Sequence, residues 1–180
     1  MATLRKANAY SRRHTVPFTR ISKKKQRSYI KVVPPQKIVK FSMGDGKANA
    51  AGKFPYVLRI ISTENVQIRH NALEACRQFI NKQLDKEAPG QYLFRVVPYP
   101  HHIQRENKML TGAGADRMQT GMQLSFGKSV GKAAILKPGS DLFYIAVATP
   151  KALISARAIF KQVKSKLPGR TKVLYEFKKA

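Results

Sequence analysis

A strand–helix–strand pattern occurs twice in this 180-residue chain, and the repetition limits the possible fold more than any other feature of the sequence. In the first copy, apolar residues alternate through 56–62, as in a strand that is buried on at least one face. A helix is expected from about 69 to 86, and Pro89-Gly90 ends it. Residues 91–97 alternate again and predict the second strand. The apolar stripe of the helix contains Leu73, Cys76, Ile80 and Leu84.

The second copy lies near the carboxyl end of the chain. Residues 142–148 predict its first strand, and 171–177 predict its last. Between them, Thr149-Pro150 begins a helix, because threonine caps free amides of the first turn and proline fits the first helical position. The stripe of this helix contains Leu153, Ala156, Phe160, Val163 and Leu167. Two such units predict an α+β fold, a two-layer sandwich, in a single domain over 34–180.

A long connection, residues 98–139, separates the two copies. It carries more than half of the chain's 11 glycines and shows no helical or strand period through its middle. Connections of this length are uncommon unless they are functional or disordered. Yet it keeps apolar residues such as Met109 and Phe126, which a solvated linker has little reason to hold. We expect a projecting loop that becomes ordered against a partner outside the chain, with a further short strand at 133–136.

The charge of the chain indicates the kind of partner. It has 35 Lys and Arg against 9 Asp and Glu, a formal net charge of +26. Such a chain repels itself unless a polyanion neutralises it, and nucleic-acid phosphates do so. A membrane surface is the rival polyanion, but there is no apolar run of transmembrane length and no signal peptide near Met1. We therefore expect a soluble intracellular nucleic-acid binder. Cys76 stands alone, which excludes an intrachain disulfide and a cysteine-based zinc site.

The first 33 residues predict a basic RNA-binding arm. They contain no acidic residue, and Tyr10, Phe18 and Tyr29 lie between the cations. Such interleaving suits an extended segment on RNA, with cations on phosphates and rings on bases or sugars. A solvated cationic tail and a targeting signal are the alternatives. Pro34-Pro35 ends the arm, followed by an expected short strand at 38–41 and a glycine-rich loop at 44–52.

Nucleotide-binding motifs are incomplete in this sequence. Gly127-Lys128-Ser129 resembles the end of a phosphate-binding loop, but Met122 stands where that motif needs its first glycine. Gly112-Ala113-Gly114 resembles part of a dinucleotide fingerprint, but Arg117 replaces the third glycine. We therefore expect no bound nucleotide and no other cofactor.

Metal-binding and catalytic patterns are weak as well. His101 and His102 are adjacent, so their side chains diverge, and no further ligand stands at metal-binding spacing. Glu106 and Asp116 lack a partner base or apolar pocket, which favours salt bridges within the loop over acid–base catalysis. We expect no metal site and no enzymatic activity.

Two longer motifs resemble a known family. Residues 98–122, from Pro98-Tyr-Pro-His-His through Gly-Ala-Gly-Ala-Asp to Met122, and residues 66–75 are similar to signatures of a universal large-subunit ribosomal protein family. This family is called L-sixteen in bacteria and L-ten-e in archaea and eukaryotes. The resemblance covers about residues 34–177 and extends more loosely into the arm, where Ala9 replaces the usual cysteine. The short end after Phe177 favours an archaeal-type member.

The resemblance implies a structural constituent of the large subunit of the cytoplasmic ribosome. Its partners would be large-subunit rRNA near the 5S rRNA and central protuberance, A- and P-site tRNA, and neighbouring ribosomal proteins. The loop would reach toward the peptidyl-transferase centre, with no membrane and no small-molecule substrate involved. Residues expected near tRNA are Arg105, Lys108, Met109, Gly112, Gly114, Asp116, Arg117, Gln119 and Gly121. Residues expected on rRNA are Arg5, Lys6, Arg12, Arg13, His14, Arg20, Lys23, Lys24, Lys25, Arg27, Arg69, His70, His101, His102, Lys128 and Lys132.

Two other classes of protein share some of these features. A free assembly factor or RNA chaperone would use the same basic surface without residing in a ribosome. A metal- or nucleotide-dependent RNA-modifying enzyme would need the motifs that are broken here.

Overall fold

A computed structural model describes residues 7, 11, 16–27, 29–106 and 127–178 of the chain. In these residues the strands are β1 (Ser42–Gly44), β2 (Tyr56–Ser62), β3 (Val66–Arg69), β4 (Tyr92–Val96), β5 (His102–Glu106), β6 (Lys128–Leu136), β7 (Asp141–Val147) and β8 (Thr171–Phe177). The helices are α1 (Gly46–Ala50), α2 (His70–Glu87) and α3 (Pro150–Val163), with 3-10 turns at Lys25–Arg27 and Lys164–Lys166. The predicted α+β class is confirmed.

Both sequence copies contribute to one five-stranded sheet, the large sheet, in the order β1-β4-β7-β2-β8. Its pairs are antiparallel, and β2 lies between β7 and β8, so a strand from the first copy is enclosed by two from the second. Both long helices pack together and cover this sheet: α3 contacts β2 and β7, and α2 contacts β4. The interleaving explains why the two copies form one sandwich.

The predicted helix stripes form the core between the helices and the large sheet. In α2, the four stripe residues Leu73, Cys76, Ile80 and Leu84 are fully buried. In α3, Ala156, Phe160 and Val163 are fully buried, whereas Leu153 is only partly buried. The hydroxyl of Thr149 accepts the amide of Ala152 at 3.3 Å, which confirms the predicted cap.

The prediction of a strand at 38–41 is wrong. Ile38 is buried, but the strand begins only at Ser42, where β1 pairs with β4. The amide of Val39 donates to the carboxylate of Glu74 on α2 at 3.4 Å instead of joining a strand. The apolar residues of 38–41 therefore belong to an irregular segment in which Ile38 is buried and Val39 is exposed.

The prediction of a loop at 44–52 is also wrong in part, because this segment contains the short helix α1. Asp45 caps this helix, since its Oδ1 accepts the amide of Ala48 at 2.9 Å. Gly44 has a φ of +88°, and a Cβ there would lie 2.2 Å from the carbonyl oxygen of Tyr92. Glycine is therefore required at this turn into the helix.

A second sheet of three strands, the small sheet, has the order β3-β6-β5. It corrects two expectations from the sequence. The expected long loop is structured at both ends, because β5 and β6 pair antiparallel, and β6 extends well before the short strand expected at 133–136. The four-residue strand β3, which immediately precedes α2, was not predicted. Residues 107–126 lie outside the described part of the chain.

Candidate nucleic-acid interface

The small sheet carries five of the twelve described candidate residues, namely Arg69, His102, Arg105, Lys128 and Lys132. Its central strand β6 pairs Ala133 with Arg69 of β3 on one side and with His102 of β5 on the other. Residues directly opposite each other in paired strands share a face, so Arg69 and His102 lie on the same face, with Ala133 between them. Gln104 lies on the same face, opposite Gly131. The sheet thus gathers polar and cationic side chains that are far apart in sequence.

The described part of the arm docks on both edges of the small sheet. The carbonyl of Ser11 accepts the amide of Gln67 at 3.1 Å on the β3 edge. On the β5 edge, the carbonyl of Phe18 accepts the amide of Ile103 at 2.8 Å. These bonds occupy backbone groups that an open sheet edge would leave exposed. The arm is therefore anchored to the sheet that carries the candidate loop.

Arg105 and Phe18 form the closest cation–π contact at this site. The guanidinium carbon of Arg105 lies 3.4 Å from the centre of the Phe18 ring. Burial lowers the pKa of Arg105 from its usual value, but a guanidinium keeps its charge at neutral pH. Arg105 is the first of the predicted loop residues along the chain, and its position is fixed by the arm.

The two adjacent histidines have different environments. His102 is 3% exposed, and its Nδ1 accepts the amide of Phe18 at 2.8 Å. His101 is exposed, and its Nδ1 lies 3.0 Å from the carbonyl oxygen of Tyr99. Of this predicted pair, His101 is accessible to RNA, whereas His102 positions the arm.

His70 begins α2 beside this sheet and is neutral at physiological pH. It is 2% exposed, and burial lowers its pKa from 6.5 to about 4. The pKa of His70 is lowered further by the positive charges of Lys37, Arg69 and Lys132. Gly131 makes room for the ring, since a Cβ there would lie 3.1 Å from Nε2 of His70. Arg69 is 8% exposed, so Arg69 and His70, both predicted to contact rRNA, lie beneath the surface. Lys132 is more accessible than either of them.

The lysine-rich part of the arm is exposed and held in a turn. The ammonium of Lys31 donates to the carbonyls of Lys25 and Gln26 at 3.0 and 2.8 Å. The hydroxyl of Ser129 on β6 donates to the carbonyl of Val32 at 2.8 Å, which ties the end of the arm to the small sheet. Exposed cations that this turn and its neighbours present are Arg20, Lys23, Lys24, Lys25, Arg27 and, on β6, Lys128.

The acidic residues that the structure describes are occupied within the protein. The carboxylates of Asp141 and Glu176 both bond Arg59, Glu74 bonds Arg77, and Glu64 bonds Arg170. The others in the described residues also have partners, namely Asp45, Asp85, Glu87 and Glu106. Because few acids face many cations, the exposed cations of the arm and small sheet retain a strong attraction for an external polyanion.

Several predicted residues fall outside the described part of the chain. In the arm these are Arg5, Lys6, Arg12, Arg13 and His14. In the loop they are Lys108, Met109, Gly112, Gly114, Asp116, Arg117, Gln119 and Gly121. The sequence did not predict the Ser129–Val32 contact or the Phe18–Arg105 contact. The two residues of each pair are far apart in sequence, and no local pattern indicates such contacts.

Metal-binding clusters and membrane-spanning helices are both absent from the described residues. There, no group of three or more His, Cys, Asp or Glu side chains is arranged to hold a metal ion. None of the helices found in the same residues is long and apolar enough to cross a membrane.

Comparison with known proteins identifies the family. Residues 17–174 match the family described as ribosomal protein L16p/L10e. The chain is 47% identical to the large ribosomal subunit protein uL16 of Sulfolobus acidocaldarius over 150 residues, which cover 82% of this chain and 83% of that protein. It is 42% identical over 174 residues to the uL16 of Pyrobaculum arsenaticum, covering 96% and 92% of the two chains. For the uL16 of Methanococcus maripaludis the identity is 40% over 172 residues, or 95% and 93%.

These relatives confirm the archaeal type expected from the sequence. The predicted location is likewise confirmed, since a ribosomal protein of this kind resides in the ribosome, in the cytoplasm. The match spans 17–174, so it includes the docking contact at Phe18 and all strands of both sheets except the last residues of β8, whereas Ser11 lies before it. The chain belongs to the ribosomal protein L16p/L10e family.

Proposed function

We propose that this protein is a structural constituent of the large ribosomal subunit that binds large-subunit rRNA and helps to position tRNA. The arm and the small sheet contact rRNA close to the 5S rRNA and central protuberance. The stretch 98–139 acts near the peptidyl-transferase centre, beside A- and P-site tRNA. Bond formation belongs to RNA in this proposal, and the protein contributes positioning. Family membership supports the ribosomal part of this proposal.

The observation that carries the RNA-binding role is the combination of exposed cations and a fixed backbone. The arm cations are exposed, while the described acids are engaged in internal contacts. The backbone that carries them is anchored at Phe18 and Val32 to the small sheet. A fixed array of cations loses less conformational freedom on binding than a flexible tail, so more of the electrostatic attraction appears as affinity.

The proposed tRNA contact depends on residues that follow β5. Arg105 is held at the end of this strand, immediately before residues 107–126. In this proposal Lys108 and Arg117 neutralise phosphates, and Gly112 and Gly114 allow backbone amides to approach RNA closely. Met109 supplies an adaptable apolar contact.

A sucrose gradient of cell lysate in high salt tests residence in the ribosome. We expect the protein to remain in the mature large subunit in a constant ratio to the other subunit proteins. A free assembly factor, which is the alternative, would leave the subunit in high salt or occur only in immature particles. That result would contradict the structural role and leave the RNA-binding role standing.

Charge removal in the loop tests the tRNA contact separately. We expect Lys108→Gln with Arg117→Gln to leave the fold unchanged and to slow tRNA accommodation or subunit maturation. The control is Lys82→Gln with Lys86→Gln on α2, which removes the same charge beside Asp85 and Glu87. Normal translation by ribosomes with the loop variant would show that 98–139 does not position tRNA.

A further inference from the structure

The exposed side of α3 is a cationic surface to which the helix itself contributes no acidic residue. Residues 142–175, which include this helix, contain no Asp or Glu. The cations of this segment are Lys151, Arg157, Lys161, Lys164, Lys166, Arg170 and Lys172. Among the described residues, only Arg170 of this set forms a salt bridge, with Glu64 at 3.3 Å. The carboxylate of Glu87 on α2 also reaches this segment, where it accepts the hydroxyl of Ser155 at 3.3 Å. Seven cations therefore face these two carboxylates among the described residues, and most of the positive potential is uncompensated.

Helical geometry brings several of these cations together on one face. Residues three, four and seven positions apart lie on the same side of a helix, so Ile154, Arg157 and Lys161 form a row along α3. Ile154 is 71% exposed, and the cations of the row are exposed as well. The small side chain of Ala158 also lies in this row and is exposed. This outer face is opposite to the stripe that α3 buries in the core.

Neighbouring aromatic rings orient two cations of the segment. The guanidinium of Arg157 lies 5.7 Å from the centre of the Tyr175 ring on β8. The ammonium of Lys166 lies 4.5 Å from the ring centre of Phe79 on α2. Such contacts fix the side chains without removing their charge, so the groups remain available to an anion.

The outer face of α3 is separate from the small sheet. α3 packs against α2, β2 and β7 of the sandwich, whereas α2 also packs against β3 and β6 of the small sheet. The arm, in contrast, docks on β3 and β5. One elongated anion would therefore have to pass around the domain to reach both surfaces, and two separate RNA segments reach them more simply.

We propose that the outer face of α3, formed by Lys151, Ile154, Arg157, Ala158 and Lys161 with Lys164 beyond its end, binds the phosphate backbone of a second RNA segment. This inference rests on the proposed function, because it gives the same protein a second RNA contact. Cations on a regular helix face match a row of phosphates, and the small Ala158 permits close approach of a sugar–phosphate backbone. A membrane-like or acidic protein surface is less well matched, since the row has only one large apolar side chain, Ile154.

Directed cleavage of RNA from a single position tests this contact. The full-length chain with Gln162→Cys, at an exposed position of α3 beside this face, is labelled with an iron–EDTA probe and assembled into large subunits, and cleaved nucleotides are mapped. Labelling is specific because Cys76 is fully buried, and burial raises the pKa of its thiol to about 12. The matched probe is Lys23→Cys in the arm. We expect both probes to cut the rRNA, at nucleotides that do not overlap.

The two probes distinguish failure of this inference from failure of the proposed function. If the Lys23→Cys probe cuts RNA and the Gln162→Cys probe does not, the α3 contact is refuted and the proposed function stands. Cleavage of a neighbouring ribosomal protein from position 162, without cleavage of rRNA, would refute the RNA contact and replace the RNA partner by a protein. If neither probe cuts RNA, both proposals fail.

A salt titration provides an independent measurement. Removing one cation that binds a phosphate reduces the slope of log affinity against log salt by about 0.9. We therefore expect Lys151→Gln with Lys161→Gln to reduce the slope for rRNA binding by about 2. The control, Lys82→Gln with Lys86→Gln, removes the same charge next to Asp85 and Glu87, and we expect less than half of that change. An equal change in both variants would show that net charge alone matters and would overturn the inference.

Discussion

Anchoring of the arm to the small sheet predicts a local effect of replacing Phe18 by alanine. The Phe18 ring lies under the guanidinium of Arg105, 3.4 Å from ring centre to guanidinium carbon. A cation–π contact contributes roughly 0.5–1 kcal/mol at exposed sites and about 2 kcal/mol when desolvated. Phe18 is partly buried, so we expect Phe18→Ala to weaken docking of the arm by about 1–2 kcal/mol.

The amide of Ile103 reports this docking directly. It donates to the carbonyl of Phe18 at 2.8 Å and therefore points away from β6. When the arm leaves the sheet, this amide is left without its acceptor and exchanges with solvent, while the core stays folded. A weakening of about 1–2 kcal/mol corresponds to roughly 5- to 30-fold faster hydrogen exchange at Ile103. Amides in β2, such as that of Val57, should exchange at an unchanged rate.

A second arm variant controls for a general effect of removing an aromatic ring. Tyr29 is 74% exposed, so we expect Tyr29→Ala to leave exchange at Ile103 unchanged. Phe18→Tyr should preserve the contact with Arg105 and restore slow exchange. If Phe18→Ala exchanged at Ile103 as slowly as the unaltered protein, or if Tyr29→Ala accelerated it equally, the ring contact would not anchor the arm.

Two further predictions concern stability. Gly44→Ala should destabilise the fold by about 2 kcal/mol or more, because φ is +88° and a Cβ would meet the carbonyl of Tyr92; thermal unfolding measures this. In Gly46→Ala, where nothing lies within 4 Å, the melting temperature should not fall, and an equal decrease in both variants would contradict the steric argument. The neutral His70 predicts that the free energy of unfolding depends on pH. The pKa of His70 is about 4 in the folded protein and 6.5 ordinarily. The unfolded chain therefore binds more protons between these pH values, and stability falls as the pH decreases from 6.5 to 4. The decrease in the free energy of unfolding is at most about 3 kcal/mol. Denaturant titrations at several pH values test this, and in His70→Asn this pH dependence should be absent.

Regular elements with a clear period were predictable from the sequence. The strands β2 and β8 occur where the alternation predicts them, and the four stripe residues of α2 are fully buried. In these elements a local pattern and a large buried face agree, and each copy of the unit reinforces the assignment of the other. The same holds for the start of α3, because Thr149 and Pro150 specify it locally.

The small sheet was not predictable in this way. Strand β3 has only four residues, all buried, and it pairs with residues nearly seventy positions later. Its residues Val66, Gln67, Ile68 and Arg69 alternate between apolar and polar, but four residues directly before a helix show neither that both faces are buried nor which strand they pair with. The segment 38–41 shows the reverse case: its apolar residues suggested a strand, but they lie in an irregular segment where the amide of Val39 donates to Glu74. Pairing over long distances in sequence depends on the partner strand, and a single-strand pattern does not identify that partner.

The candidate site was predicted by composition and family resemblance more than by local pattern. Cations such as Lys23 and Lys128 are exposed as an RNA contact requires, whereas His70 and His102 lie buried at the base of the small sheet. Burial of a polar ring beside a sheet depends on neighbours such as Gly131, which come from distant parts of the chain. The sequence could therefore suggest which residue types bind RNA without separating direct contacts from residues that support them.

Docking of the arm connects stability with RNA binding. The small sheet has two edge strands, β3 and β5, and the arm bonds a backbone amide on each of them. Because the arm is attached through its backbone, cationic side chains such as Lys23 remain exposed for phosphates. These cations repel one another in the free protein, and the repulsion opposes docking of the arm. RNA that neutralises them removes this repulsion, and a ligand that binds the folded state stabilises it. The same segment therefore completes the small sheet and makes the stability of that sheet depend on the RNA partner.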